Sequence, residues 1–224
     1  MDSDNNVATL NSSAFAKIAG IDNISPNGVL ANRRSLYGGY FNGGVGAGQS
    51  YAYVGIKYNA TNTGTGGTNY KIIGNGTNST MIMDKENKPR VLFSPEAPEI
   101  LFEDYGTAEL VNGEVYVPID EILKEALYID DKHPLKVFIQ LEGDCNGVFV
   151  TEKSKNGFKV KELANGTSNT KFSWHIVANR ADDKDAQGNI TSEHVGLRLP
   201  YGPVPAKETQ LAIKSNEKNI VAQK

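Results

Sequence analysis

Charge is scarce in the first third of this chain. Residues 1–83 hold eight of its 49 charged side chains, while 14 of its 23 glycines lie before Pro89. Cysteine is scarcer still. Cys145 stands alone, which excludes an internal disulfide framework and any multi-cysteine zinc site but leaves the redox compartment open. No apolar run approaches the length of a membrane-spanning helix, so no membrane insertion by that route is expected. The opening MDSDNNVATL has neither the basic nor the apolar region of a signal peptide. Either the chain is not exported that way or Met1 begins a fragment. A net charge of −3 gives no general pull toward nucleic acid or anionic lipid. A phosphate loop, a dinucleotide fingerprint and a basic–aromatic stripe are all missing, so neither a nucleotide cofactor nor a nucleic-acid partner is expected.

What is present first is glycine, asparagine, threonine and serine, as in YGGYFNGGVGAGQSYAYVG. Such a composition suits a disordered linker. Linkers are poor in aromatics, however, and this segment carries Tyr37, Tyr40, Phe41, Tyr51, Tyr53, Tyr58 and Tyr70. YAYVGIKY (51–58) and TNYKIIG (68–74) alternate like strands. Residues 1–83 therefore read as a low-charge β segment of short strands and glycine turns.

Residues 84–180 read as a small antiparallel, sandwich-like β domain. Strands are expected at Arg90–Phe93, Thr107–Val111, Glu114–Pro118, Leu135–Leu141, Gly147–Thr151, Gly157–Glu162 and Lys171–Asn179. Asn112-Gly113 between TAELV and EVYVP is a two-residue hairpin signal. One short helix fits PIDEILKEALY, with Asp120 at its cap. Residues 181–224 read as an extended polar tail, since RLPYGPVPAKE cannot be a central strand or a helix. The fold class is all-β.

Signs of chemistry are thin. GQSYA (48–52) stops short of a nucleophile elbow and lacks its strand-to-helix setting. His133, His175 and His194 are scattered, and His175 alternates with the apolar Phe172, Trp174 and Ile176. DKDAQGNITSEH places Asp183, Asp185 and Gly188 as a calcium loop would. Its twelfth position is His194, with Glu193 one place early. Ca2+ is the one cofactor that pattern admits, through Asp183, Asp185 and Glu193. SPEAPEILFEDYG (94–106) gathers Glu99, Glu103 and Asp104, a second candidate cation cluster. Pro95 and Pro98 keep it extended, which spreads the acids along a joint between the two parts.

The phrases RVLFSPEAPEILFEDYGTAELVNGEVYVPID, VFIQLEGDCNGVFV, GFKVKEL and FSWHIVANR resemble a C-terminal region of bacterial and phage tail-fibre-like proteins. The resemblance covers about residues 84–180, and the glycine-rich part loosely. It implies a β-rich, trimeric appendage protein at a virion or cell surface, with no catalytic residues to carry over. The leading expectation is thus a non-enzymatic structural or adhesive homotrimer. The alternative is a carbohydrate-binding module whose Tyr37, Tyr40, Phe41, Tyr51 and Tyr53 stack on surface glycans. The third reading is an enzyme, either a glycosidase with paired carboxylates or a self-cleaving fibre protein.

Overall fold

The computed structural model describes residues 15–23, 34–43, 50–59 and 66–206. It is all-β apart from one short helix and a 3-10 turn. The glycine-rich part forms an antiparallel meander of β1 (Phe15–Asn23), β2 (Arg34–Asn42), β3 (Tyr51–Tyr58) and β4 (Thr68–Gly74), in that spatial order. Cross-strand partners put Tyr40 opposite Tyr53, which is itself opposite Ile73, and Tyr37 opposite Ile56, itself opposite Tyr70. One row, Ala19–Gly38–Gly55–Lys71, drops out of the pairing in all three ladders. Gly55 takes φ +63 there, a conformation glycine adopts without steric cost. The inward face therefore steps by three residues, from Tyr37 to Tyr40 and from Tyr53 to Ile56, and all four are buried. This is why the segment is a sheet and not a linker. Its core is a stack of tyrosines, with Tyr40 and Tyr53 centroids 4.7 Å apart and Tyr37 and Tyr53 5.2 Å apart, edge to face.

Next comes a hairpin of β5 (Ser79–Met83) and β6 (Pro89–Phe93). The composition break near residue 84 falls in its turn. There the Asp84 carboxylate accepts the N–H groups of Glu86 and Lys88 and pairs with Arg90.

The sandwich follows. Its strands are β7 (Leu101–Glu109), β8 (Glu114–Pro118), β9 (Leu127–Tyr128), β10 (Lys136–Leu141), β11 (Val148–Ser154), β12 (Gly157–Glu162) and β13 (Lys171–Arg180). Helix α1 (Glu121–Ala126) lies between β8 and β9, and Asp120 caps it by accepting the N–H groups of Ile122 and Leu123. One sheet has the order β10-β13-β7, with β9 also on β13, and the other has β11-β12-β8. Leu110, Val117, Phe158, Val160, Phe172 and Ile176 fill the space between them. A last small hairpin, β14 (Asp183–Lys184) with β15 (Ile190–Ser192), precedes the C-terminal stretch.

The structure adds β1, β2 and β5, which the local pattern does not mark, and begins β7 at Leu101, inside the stretch read as a joint, not at Thr107; two further details differ from the sequence reading. The Asn112-Gly113 turn forms, with φ values of 52 and 83, but it closes a single rung between Val111 and Glu114. Beyond that rung β7 pairs with β13 and β8 with β12. Leu110 turns into the core with its N–H on Thr170, so the turn becomes the corner between two sheets. The C-terminal stretch is also more than a surface tail. Residues 191–193 run along the start of β4, with Thr68 donating to the Glu193 carbonyl at 2.6 Å, and residues 202–206 cross the tyrosine face.

The corner carries a prediction. A Cβ on Gly113 would lie 1.9 Å from the Gly166 carbonyl oxygen, whereas one on Gly188, at φ +85, would meet nothing within 4 Å. Gly113→Ala is expected to lower stability by about 2–3 kcal/mol and Gly188→Ala by about 1 kcal/mol, measured by chemical denaturation. Equal losses would mean that the contact with Gly166 contributes nothing.

Candidate binding surfaces

The five aromatics expected to stack on sugars have other work here. Tyr37, Tyr40 and Tyr53 are buried in the sheet's own core. Tyr51 is half-buried, and its hydroxyl donates to the Pro203 carbonyl at 2.7 Å. Burial raises the phenol pKa values of Tyr40, Tyr51 and Tyr70 above their ordinary range. Phe41 alone of the five lies on the opposite, exposed face. A ring covered on both sides cannot stack on an external sugar, so Tyr37, Tyr40 and Tyr53 form a core and not a platform.

The acids are dispersed as well. Both Asp183 oxygens take the Arg180 guanidinium, at 2.9 and 3.0 Å, and His194 lies 3.3 Å away. Asp185 accepts the N–H groups of Gln187 and Asn189 in its own turn. Glu193 belongs to the seam with β4, where its N–H donates to the Gly67 carbonyl. Glu99 pairs with Arg198 and accepts from Asn179, Glu103 faces His175, and Asp104 accepts the Tyr105 N–H. No group of three His, Cys, Asp or Glu side chains is placed to hold a metal among the described residues. Gly48 and Gln49 of the elbow-like GQSYA lie outside the described residues. Ser50 donates to the Asn75 carbonyl.

The outer face of β10-β13-β7 presents a different set. Phe138, His175 and Tyr105 are direct cross-strand partners in one row. The Phe138 ring stacks on the His175 imidazole with centroids 5.7 Å apart. Tyr105 is 81% exposed. The next outward row is Gln140, Ser173 and Thr107. The row after that carries Lys171 and Glu109, and Glu142 beside them accepts from Ser173. The result is an aromatic shelf flanked by amides and hydroxyls. Beneath it, Gly106 leaves room for Trp174, whose ring packs edge to face on Phe158 at 5.9 Å. Alternation along FSWHIV does place His175 outward. That Tyr105 and Phe138 stand beside it depends on register, which no stretch of sequence carries by itself.

Carboxylates hold the loops around this sandwich. The Tyr128 hydroxyl, together with His133 and the N–H of Lys132, lowers Asp130 to about 2. The N–H groups of Asn146 and Ser168 lower Glu162. The Asn179 amide and Arg198 lower Glu99. A carboxylate whose folded pKa is depressed stabilises the fold above its unfolded pKa, and that stability is lost as pH falls through the folded value. The thermal midpoint is therefore expected to stay level from neutrality to about pH 5 and to fall between about pH 4 and pH 2. Glu162→Gln should lower the neutral midpoint and shrink the acid-induced fall. An unchanged pH profile in that variant would show that Glu162 is not one of the groups responsible.

No known family model matches this chain, and none of the curated proteins or solved structures compared with it does either.

Proposed function

We propose that this chain is a non-enzymatic structural and adhesive module of a phage-tail-fibre-like or cell-surface appendage, and that its copies assemble as a homotrimer through the β5–β6 hairpin. The observation that carries this reading is the hairpin itself. Met81, Ile82, Met83, Val91, Leu92 and Phe93 are all 47–72% exposed. Register puts Met81, Met83, Val91, Phe93 and Pro89 on one side, and Ile82 and Leu92 on the other beside Thr80 and Arg90. An isolated two-stranded hairpin is marginal in water. In the turn Asp84 pairs with Arg90 and Glu86 with Lys88, so most of the charge beside the apolar side is neutralised locally.

Magnitudes favour a ring over a pair. Covering six large apolar side chains from about half exposure yields roughly 6–10 kcal/mol per copy. Association itself costs about 4–15 kcal/mol. A two-fold dimer covers one side of the hairpin, whereas a closed ring gives each copy two neighbours and covers both. The trimer is the smallest such ring. Light scattering at micromolar concentration is expected to give three times the 24.2 kDa chain mass. Met81→Asp with Val91→Lys, opposite charges on directly facing positions, should yield a monomer with an unchanged circular dichroism spectrum. A wild-type monomer sinks the proposal.

The aromatic shelf supports a second reading, carbohydrate binding at the appendage surface. Adjacent strands lie about 4.8 Å apart, so a glycan lying across them meets one ring per strand. Gln140, Ser173 and Thr107 stand ready for its hydroxyls. Tyr105→Ala and Phe138→Ala are each expected to weaken binding on a glycan array about tenfold, in line with about 1.4 kcal/mol for a lost stacking contact. An array that is blank for the wild-type chain removes this reading and leaves the assembly untouched.

A further inference from the structure

The segment that crosses the tyrosine face is held mainly by its backbone. Tyr58, Tyr51 and Tyr53 donate to the successive carbonyls of Gly202, Pro203 and Val204, at 3.2, 2.7 and 2.9 Å. Tyr40 reaches the backbone of Ala206. The side chains that enter are small: Val204 packs against the tyrosine cluster and Ala206 is buried within it. Pro200, Pro203 and Pro205 pre-set an extended backbone, so little conformational entropy is lost on seating. Aromatic grooves bind proline-rich peptides by the same physics. A groove of this kind recognises an extended uncharged backbone with two small apolar side chains. It is indifferent to which molecule supplies them.

The hinge that delivers this strap is strained. Leu199 sits at φ +47, in the left-handed region that a branched L-residue avoids. The proline after it further disfavours helical backbone of either hand at this position. Little surrounds Leu199 to offset that strain. Its side chain is 76% exposed, and it lines, with Pro200, an open cleft of about 740 Å3 beside β4. Its N–H does bond to the Pro98 carbonyl, and Arg198 is tied to Glu99. The chain is thus clamped just before the hinge, forced through a strained turn, and clamped again by the tyrosines. Short strained hinges favour the exchange of identical elements between copies.

We infer that the strap is exchangeable, and that in the assembly residues 200–206 of one copy occupy the tyrosine groove of a neighbour while Leu199 relaxes to extended backbone. Residues 202–206 make the groove contacts, so Pro200 and Tyr201, about 6 Å of extended chain, bridge to a neighbour whose groove lies beside Leu199. The inference rests on the homo-oligomeric reading, because copies must be held together for exchange to compete with the strap's own high local concentration.

Crosslinking tests it. In a Cys145→Ser background, one pool carries Ile73→Cys and a second, isotope-labelled pool carries Val204→Cys; both positions pack in the tyrosine cluster. The two full-length chains are unfolded, refolded together and oxidised, and disulfides are located by mass spectrometry while light scattering reports the assembly. The expected result is a disulfide joining an I73C chain to a V204C chain, with a yield several-fold lower when Leu199→Gly removes the strain. Should I73C fail to fold, Tyr70→Cys in the same cluster replaces it. A trimer with no interchain disulfide, in which the I73C/V204C double variant closes its own, overturns exchange and leaves the assembly standing. A monomer overturns both. An interchain yield unaffected by L199G overturns the hinge.

Discussion

The glycine-rich sheet depends on one requirement: its tyrosine rings must be buried while their hydroxyls are satisfied. Rings that meet at 4.7–6.1 Å form a dry interior that glycine and asparagine could not supply. Each phenol also carries a polar atom that is costly to bury alone. An apolar lid would leave those hydroxyls stranded. A strap of backbone carbonyls answers the hydroxyls and covers the rings together. The proline-rich stretch 200–206 is therefore as much a part of this sheet as its strands are, although two of its bonds join residues 151 and 152 positions apart in sequence.

The sandwich lies between these two partners in the sequence. Its aliphatic and aromatic core is conventional, and its corners are held by polar devices at close quarters. Glu162, itself buried, accepts from Asn146 and Ser168 and so ties two loops to the end of β12. Gly113 lets the 165–169 loop lie against the β7–β8 corner. The outer shelf is a defined surface because Phe138, His175 and Tyr105 sit on three hydrogen-bonded strands and not on loops. The bond from the Leu199 N–H to the Pro98 carbonyl clamps the chain where the strap departs.

The hairpin and the strap pose the same problem from opposite sides. The hairpin exposes apolar surface that no other described residue covers. The strap satisfies its own chain through a backbone conformation that leucine resists. The apolar side of the hairpin and the tyrosine cluster under the strap are both free of charged side chains.

Local pattern was enough for much of this. Alternation and Asn-Gly turns located β3, β4, β8, β12 and β13 closely, and the Asp120 cap located α1, because those signals act within a few residues. Gly38 and Gly39 concealed β2, since glycine carries no alternation to read, and β1, FAKIAGIDN, carries no turn signal of the kind that marked the later strands. The Asn112-Gly113 signal marked a real turn but misnamed the pairing beyond it, because a turn's geometry does not decide which sheet each arm joins. The acids at 183–193 looked gathered because sequence proximity stood in for space, whereas those at 94–106 are spread, as an extended backbone implies. Asp183, Glu99, Glu103, Asp104 and Asp185 each have a separate partner in Arg180, Arg198, His175 or a backbone N–H. The sequence by itself determined the class of fold, the turns and the near-absence of charge from the first sheet, all properties of short windows. Tertiary structure alone decided that the tyrosines are a core, that the prolines are their lid, and that an aromatic shelf stands on the sandwich. Each of those joins residues tens to more than a hundred positions apart, and long-range register and burial bring them together where no local preference could.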